Sequence, residues 1–207
     1  MKTEKSPPFL KTFWRKPDRS LKNTGLGQIG VEDNQNNRFR LFTKELHGLA
    51  SDFEVDPSSC GNPEHYREYL LYRALSDNAS GWSTTHVMLS ENLKHIAGFI
   101  TLKASTVLSE IDYKLFSGEP AIEIYNLAVA KGFQKQGLGR ELVLLSIAMA
   151  QEANDLHFGV RNLVLTADPK AVGFYEKCEF FPLSQYYMLP KDLENASCVP
   201  MIMKLRT

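Results

Sequence analysis

A short glycine-containing segment, running from Gln134 to Arg140, has the composition of an anion-binding loop. It follows a strand-like apolar run at 121–129 and leads directly into a strongly helical segment. A helix N-terminus presents unpaired N–H groups and about half a positive charge. Glycine also lets an anion approach the backbone without interference from a Cβ atom. The expected anion-binding residues are Gln134, Lys135, Gln136, Gly137, Leu138, Gly139 and Arg140.

This loop matches neither of the common nucleotide-binding motifs. No Gly-Lys-Ser/Thr closes it, as a P-loop requires, and the GxGxxG spacing of a Rossmann fold is missing. A pyrophosphate is the natural ligand for such a helix entrance. Many ordinary loops also enter helices through glycine, so the QxxGxG pattern alone leaves both interpretations open.

The segments around the loop include several strand-like runs. Alternating or continuous apolar patterns occupy 38–46, 84–89, 95–105, 121–129 and 161–167. Near the end of the chain, QYYML and VPMIMKL are expected to form a last antiparallel hairpin.

Helical spacing marks three segments. The first follows Asn62, a residue suited to the N-cap position, and ends near Asn78. The second carries an apolar stripe from Leu138 onward. The third is short, and its apolar face consists of Ala171, Phe174, Tyr175 and Cys178. Strands and helices in this order predict an α/β (α+β) fold, a mixed β-sheet flanked by helices on both faces.

Charge divides the chain into two parts. The 24 basic and 24 acidic residues balance overall, which favours neither nucleic acid nor an anionic membrane as a partner. Seven basic residues nevertheless face only two acidic ones within residues 1–24. No helical or strand period persists up to residue 37, so we expect 1–37 to form a flexible basic arm and 38–207 to form one domain.

The cysteines and the apolar segments of the sequence indicate the cellular location of the protein. The three cysteines are widely spaced, which fits neither a disulfide framework nor a metal site. The opening segment MKTEKSPPFLKTFW lacks the apolar run of a signal peptide, and no apolar stretch is long enough to span a bilayer. We therefore expect a cytoplasmic protein without a metal ion or a membrane partner.

Two segments together resemble the GNAT acetyltransferase superfamily. They are LAVAKGFQKQGLGRELV, which contains the (Q/R)xxGx(G/A) pattern, and AVGFYEKCEF, which contains the Phe-Tyr pair of a later helix. The resemblance implies a splayed mixed sheet, in which the strand ending at Val129 parts from the strand at 161–167. It also implies that 38–207 form an acetyltransferase domain, with acetyl-CoA in the gap as co-substrate and its pyrophosphate on the loop.

The chain departs from this family pattern at two positions. Asp168 stands where the family usually has asparagine, a position that bears on a contact to the pantetheine arm, and we keep it among the expected cofactor-binding residues. Glu179 precedes Phe180 where the family usually has glycine. Glycine tolerates the left-handed backbone of a helix C-terminus better than other residues do.

Glu123 is the candidate general base. It lies on the strand fourteen residues before Gly137, an offset that resembles the base of the histone-modifying branch of the family. An amine such as lysine, with a pKa near 10.4, is almost fully charged at pH 7, so a base assists transfer. The alternative is an ordinary polar residue on a partly exposed strand.

The resemblance also implies roles around the thioester. The Leu127 N–H is expected to meet the oxyanion, while Ala128 and Val129 line the pantetheine arm. Tyr175 is the candidate acid for the departing thiolate, and its neighbour Phe174 is assigned to the core. A tyrosine that only packs in the core is the alternative.

The acceptor is the open question. The leading interpretation is an N-acetyltransferase that transfers directly, in a ternary complex, to a primary amine of a small molecule or protein, with Tyr125 and Asn126 on the acceptor side. CGNPEHYREYLLYRAL and FYEKCEFFPL also resemble the toxin branch that acetylates aminoacyl-tRNA, although the balanced charge disfavours tRNA. A non-catalytic acyl-CoA-binding module and a homodimer remain alternatives.

Overall fold

The computed structural model describes residues 38–112, 115–185 and 197–205, so the predicted arm at 1–37 lies outside them. Within these ranges one sheet has the strand order β1-β2-β3-β4-β5-β7-β6. Its strands are β1 (Phe39–Leu41), β2 (Thr84–Leu89), β3 (Ile96–Asp112), β4 (Leu115–Val129), β5 (Asn162–Ala167), β6 (Phe181–Pro182) and β7 (Val199–Lys204).

Four α-helices and several short 3-10 helices accompany the described part of this sheet. The α-helices are α1 (Glu64–Tyr72), α2 (Ala74–Ser80), α3 (Leu138–Leu156) and α4 (Val172–Glu176). The 3-10 helices are His47–Asp52, Lys131–Phe133, Pro169–Ala171 and Leu183–Gln185. None of the helices in the described ranges combines the length and apolar character that crossing a bilayer requires.

The centre of the sheet splays apart. β4 and β5 run parallel, and their paired register ends at Ile124 and Leu165. β4 nevertheless continues to Val129 and stays paired with β3 over this length. The expected splayed, mixed sheet is therefore confirmed, with a gap beyond Ile124.

A β-bulge in β4 lies at the start of this gap. Thr101 pairs with Asn126 and Leu102 pairs with Ile124, which leaves Tyr125 as the extra residue. A bulge places two successive residues against one residue of the partner strand and bends the chain locally. Here Tyr125 and Asn126 both contact α1.

The sheet has a hydrophobic core on each face. On one side α3 and α4 pack against the strands, with Leu142, Leu163 and Met201 fully buried. On the other side α1, α2 and the 3-10 helix His47–Asp52 cover residues such as Phe99. Helices on both faces follow from the two separate sets of apolar residues, as predicted.

Several predicted boundaries need correction. β1 is much shorter than the predicted 38–46, and the single predicted helix after Asn62 is interrupted at Arg73, whose φ of −122° and ψ of −44° are not helical. The first of the two helices begins at Glu64 with Pro63 at its N-cap position, and no side chain caps it. β3 and β4 also form a hairpin that extends well beyond the predicted strands.

The predicted last hairpin is only partly covered by the described residues. Most of QYYML lies outside the described residues, and β7 pairs with β5 and with the short β6. Phe180 is fully buried, whereas its neighbour Phe181 is 45% exposed, so only the first of this pair belongs to the core.

Candidate active site

The glycine-containing loop forms the entrance to helix α3. Gly137 is the N-cap residue with a φ of +89°, a left-handed conformation that favours glycine, and Lys135 has a φ of +60°. The helix begins at Leu138, and its first hydrogen bond in this turn joins the Glu141 N–H to the Gly137 carbonyl. The preceding N–H groups have no partner inside the helix and can bind an anion.

The side chain of Gln134 ties this loop to the end of β4. Its Nε2 donates to the Val129 carbonyl at 3.1 Å and lies 3.4 Å from Ser59 Oγ. Gln136 instead donates to the Gly132 carbonyl at 3.2 Å, on the outside of the loop. The two glutamines of the motif therefore have different surroundings, and Gln134 is the one that faces the gap.

The gap between β4 and β5 holds a cavity with a volume of about 590 Å³. This size is typical of sites for small ligands and cofactors. Its lining includes the expected residues Leu127, Ala128, Val129, Gln134, Lys135, Gly137, Gly139, Arg140, Asp168 and Tyr175. Glu123, Gln136 and Leu138 are expected site residues that do not line it.

The two sequence motifs meet at one side of this cavity. A Cβ atom placed on Gly139 would stand 3.3 Å from the ring of Phe174, so the absence of a side chain lets α3 and α4 approach closely. The Phe174 ring lies 5.0 Å from that of Tyr175, which in turn lies 5.8 Å from Phe180. The loop motif and the Phe-Tyr motif thus form one continuous wall.

Tyr175 is the more buried member of the Phe-Tyr pair. It is 8% exposed and belongs to the core on the α3 side, while Phe174 is only partly buried. Both side chains line the cavity, so the expected division into one core ring and one site ring is too simple. Burial raises the pKa of Tyr175 above its usual range, which keeps the phenol protonated.

Asp168 has both carboxylate oxygens occupied by the protein backbone. Oδ2 accepts from the Gly61 N–H at 2.7 Å and Oδ1 accepts from the Lys170 N–H at 2.9 Å. The N–H groups of Lys170 and Gly61 lower the pKa of this carboxyl group. Asp168 lines the cavity as expected, but its oxygens hold the segment before α1 against the segment before α4.

Glu123 forms an ion pair across the sheet. Its Oε2 lies 3.2 Å from Nζ of Lys103, the residue directly opposite on β3. Nζ of Lys103 also lies 4.3 Å from the ring centroid of Tyr125, which does line the cavity. The carboxylate is therefore connected through Lys103 to Tyr125, on the predicted acceptor side, without being part of the cavity wall.

Comparison with known proteins decides the family. Residues 46–180 match the model of the acetyltransferase (GNAT) family, which is more than half of the chain. The chain belongs to the acetyltransferase (GNAT) family. It is accordingly an acetyl-CoA-dependent acyltransferase. No match was found among curated protein sequences.

Solved structures share this GNAT fold at low sequence identity. A tyrosine-to-phenylalanine mutant of the toxin AtaT is 19% identical, with a TM-score of 0.64 over 81% of this chain and 88% of AtaT. A mutant of KacT is 16% identical, with a TM-score of 0.62 over 81% and 94%. AtaT complexed with acetyl-methionyl-tRNAfMet is 18% identical, with a TM-score of 0.56 over 78% and 92%.

The residues of the gap fit acetyl-CoA. The helix entrance offers free N–H groups for the pyrophosphate, and the side chains of Lys135 and Arg140 add positive charge beside it. Beyond Ile124, the side of β4 that faces away from β3 has lost its neighbouring strand. An extended arm with amide groups can therefore pair with β4 as a strand would.

The second GNAT departure has a visible structural consequence. Glu179 has a φ of +66°, the left-handed conformation in which this family usually places glycine. The Phe180 N–H still bonds to the Tyr175 carbonyl at 3.0 Å. The turn after α4 is therefore retained with a non-glycine residue in it.

Two cavity residues had no signal in the sequence. Tyr66 on α1 lines the cavity, and burial raises its pKa to about 12. Cys60 in the segment before α1 is a buried free cysteine in the same wall, and burial raises its thiol pKa. Both reach the gap from far along the chain, and only the packing of α1 against β4 brings them there.

Proposed function

We propose that this enzyme transfers the acetyl group of acetyl-CoA directly to a primary amine within a ternary complex. The observation that carries the proposal is that the loop at 134–140 and Tyr175 both line the cavity between β4 and β5. Acetyl-CoA supplies an activated acyl group. The chain supplies the binding surface, hydrogen-bond donors and proton transfer.

Backbone geometry supports the proposed contacts to the acyl-donor arm. The N–H of Ala130, just after β4, donates to the carbonyl of Ala97 on β3 at 2.9 Å. Alternate residues of a strand direct their backbone groups to opposite sides. Leu127 and Val129 therefore direct theirs toward the gap, where Leu127 is proposed to donate to the thioester oxygen.

Tyr175 is the proposed proton donor to the sulfur. Its hydroxyl makes no hydrogen bond to other side chains or backbone groups in the described ranges, so it is free to bind a ligand. A phenol whose pKa is raised stays protonated, but it gives up its proton less readily than an ordinary phenol. We propose that it first stabilises the departing thiolate as a hydrogen-bond donor and that proton transfer follows.

Glu123 is the proposed base, acting at a distance. The carboxylate accepts the proton that the amine loses as the C–N bond forms and the C–S bond breaks, and Tyr175 supplies the proton of the free thiol. Proton exchange with solvent then returns Glu123 and Tyr175 to their starting states. Because Glu123 does not line the cavity, the proton must pass through at least one water molecule to reach it. The same carboxylate forms the ion pair with Lys103.

Direct transfer is supported by the state of the cavity thiol. Cys60 is the one cysteine among the described residues that line the cavity, and an acetyl-enzyme would need its thiolate. Burial raises the pKa of Cys60, and the nearby Asp168 carboxylate adds to this effect. A protonated, buried thiol is a poor nucleophile, so no covalent intermediate is proposed.

The test follows thiol release from acetyl-CoA with a panel of amines. The proposal expects amine-dependent thiol release and no acetylated enzyme by intact mass spectrometry. A non-catalytic acyl-CoA-binding module would bind acetyl-CoA and release no thiol with any amine. Acetyl-enzyme that forms and decays at the rate of turnover would contradict direct transfer.

A second candidate is the α-amino group of aminoacyl-tRNA. It is favoured by the fold shared with AtaT in complex with acetyl-methionyl-tRNAfMet. Among the described residues that line the cavity, Asp168 is the one carboxylate, and backbone N–H groups occupy both its oxygens. The site therefore lacks an acidic group to recognise a polyamine or lysine, whereas an α-amino group with a pKa near 8 needs no such anchor.

Bulk aminoacyl-tRNA and free lysine, compared at pH 7.5 with labelled acetyl-CoA, distinguish these acceptors. Labelled acetyl groups that enter the tRNA fraction, and leave it on mild base hydrolysis of the ester, would support the second candidate. Transfer confined to lysine or polyamines would exclude it and leave the general proposal intact.

A further inference from the structure

Asn126 has a buried hydrogen-bond donor without a partner. The residue is 5% exposed, lies beside the bulge in β4, and lines the cavity. Its Nδ2 atom is buried and has no hydrogen-bond partner. Other described residues with such atoms are Arg67, His86 and Asn162, and none of these lines the cavity.

His65 on α1 holds the other end of the same amide. Its Nε2 lies 3.3 Å from Oδ1 of Asn126. When the imidazole donates this hydrogen bond, the amide orientation is fixed and the NH₂ group is left for another partner. Buried polar groups in native proteins are almost always paired, so an unpaired donor in a ligand cavity indicates a ligand atom that completes it.

The position of Asn126 assigns it to the acceptor and not to acetyl-CoA. Asn126 and Tyr125 contact α1, whereas Phe174 and Tyr175 belong to the core on the α3 side. The pyrophosphate loop leads into α3 as well. The donor of Asn126 therefore stands on the α1 side of the sheet, whereas Tyr175 and the helix after the pyrophosphate loop belong to the α3 side.

We propose that Asn126 determines acceptor specificity by donating a hydrogen bond to a carbonyl oxygen on the carbon next to the reacting amine. A primary amide NH₂ is a donor only, so its partner must be an acceptor atom. A protonated polyamine or a plain alkyl chain offers none at this position. An α-aminoacyl group does, and His65 acts as the positioning residue for the contact. The inference rests on the proposed amine acetylation.

The test compares two acceptors that differ by this carbonyl group. Leucine amide carries it, and 3-methylbutylamine is the same molecule without the carboxamide. The preference is the kcat/KM for leucine amide divided by the kcat/KM for 3-methylbutylamine. Both values are calculated from the concentration of neutral amine, because the two amines have different pKa values. We expect the wild-type preference to be at least about tenfold.

Two substitutions at one position test the residue itself. Asn126→Leu removes the donor at similar size, and Asn126→Asp keeps the shape but replaces the donor with an acceptor atom. Both are expected to lower the preference about tenfold or more, and His65→Ala is expected to lower it less. Asn62→Leu changes an exposed asparagine outside the cavity lining and serves as the matched control. Calorimetric titration with acetyl-CoA checks that each variant is folded.

The outcomes separate this inference from the proposal on which it depends. Wild-type enzyme that acetylates both amines without preference overturns the role of Asn126 and leaves amine acetylation intact. Variants that slow both amines equally also overturn it, since a donor to the thioester would act in this way. Failure of the wild type to acetylate any amine removes the proposed function and the inference together.

Discussion

The ammonium group of Lys103 and the carboxylate of Glu123 lie 3.2 Å apart on neighbouring strands of the sheet. Lys103 also lies over the ring of Tyr125, at 4.3 Å from its centroid, and Tyr125 is the residue that the β4 bulge leaves unpaired. The cation of Lys103 thus connects the candidate base to Tyr125, which lines the cavity. This arrangement makes the base hypothesis open to a direct test.

Glu123→Gln should lower kcat by roughly 10²-fold, because the amide keeps the shape of the side chain but cannot take a proton. The loss should shrink at high pH, where more of the amine is already neutral. Glu119→Gln is the matched control. Glu119 lies on the same strand as Glu123, forms an ion pair with Arg161 at 3.8 Å and does not line the cavity. The measurement is the pH dependence of kcat for both variants. A kcat deficit in Glu123→Gln that stays constant from pH 7 to pH 10 would indicate a structural role for Glu123.

Tyr175→Phe should reduce turnover by about 10²-fold or more while leaving acetyl-CoA affinity and the melting temperature nearly unchanged. The change deletes one oxygen and little volume. Phe174→Ala should instead lower stability, toward the lower end of about 3–5 kcal/mol because the ring is only partly buried. Full kcat in Tyr175→Phe combined with a lower melting temperature would make Tyr175 a packing residue.

Cys60→Ser should keep most of the wild-type kcat. Burial raises the pKa of the Cys60 thiol, so the wild-type residue is not prepared to attack a thioester. Steady-state thiol release measures the effect, and a thiol-specific reagent should modify the native protein slowly at this position. A loss of more than about 10²-fold with unchanged acetyl-CoA binding would instead favour an acetyl-enzyme.

Stability should fall as the pH falls from about 6.5 toward 4. Burial lowers the pKa of His86 to about 4, and the ring stacks on Phe39 with its Nδ1 lacking a hydrogen-bond partner. Between these pH values the unfolded chain binds a proton at His86 and the folded chain does not. Unfolding is therefore favoured, by up to about 3 kcal/mol.

Denaturant unfolding of wild type and His86→Gln across this pH range tests the effect. The difference in unfolding free energy between the two proteins should depend on pH below about 6.5 and level off above it. A difference that stays constant from pH 4 to pH 8 would contradict the assignment to His86.

Local signals predicted the parts of the site that are local. The start of α3 at Leu138 follows from the glycine before it and the apolar stripe after it, and Gly137 has the left-handed φ that only glycine adopts easily. The unusual Glu179 at the turn after α4 could likewise be identified as a departure, and its φ of +66° agrees. Both depend on the conformation of a few adjacent residues.

Contacts across the sheet could not be predicted in the same way. A single extra residue at Tyr125 decides that Asn126 faces His65, and no residue type in IYNLAV indicates a bulge. The interruption between α1 and α2 at Arg73 also has no sequence signal, because neither glycine nor proline occurs there. These features arise from packing between elements that lie far apart in the chain.

The most direct test of the account is calorimetric titration of acetyl-CoA into Gly137→Glu. The substitution places a carboxylate at the helix entrance where the pyrophosphate is proposed to bind. Two controls separate charge from backbone strain. Gly132→Glu introduces the same charge at a glycine that has no positive φ and does not line the cavity, and Gly137→Ala introduces only the backbone strain at position 137. The proposed pyrophosphate site predicts that acetyl-CoA affinity falls well over tenfold, about 1.4 kcal/mol or more, in Gly137→Glu and much less in the two controls. Unchanged acetyl-CoA affinity in folded Gly137→Glu would contradict it.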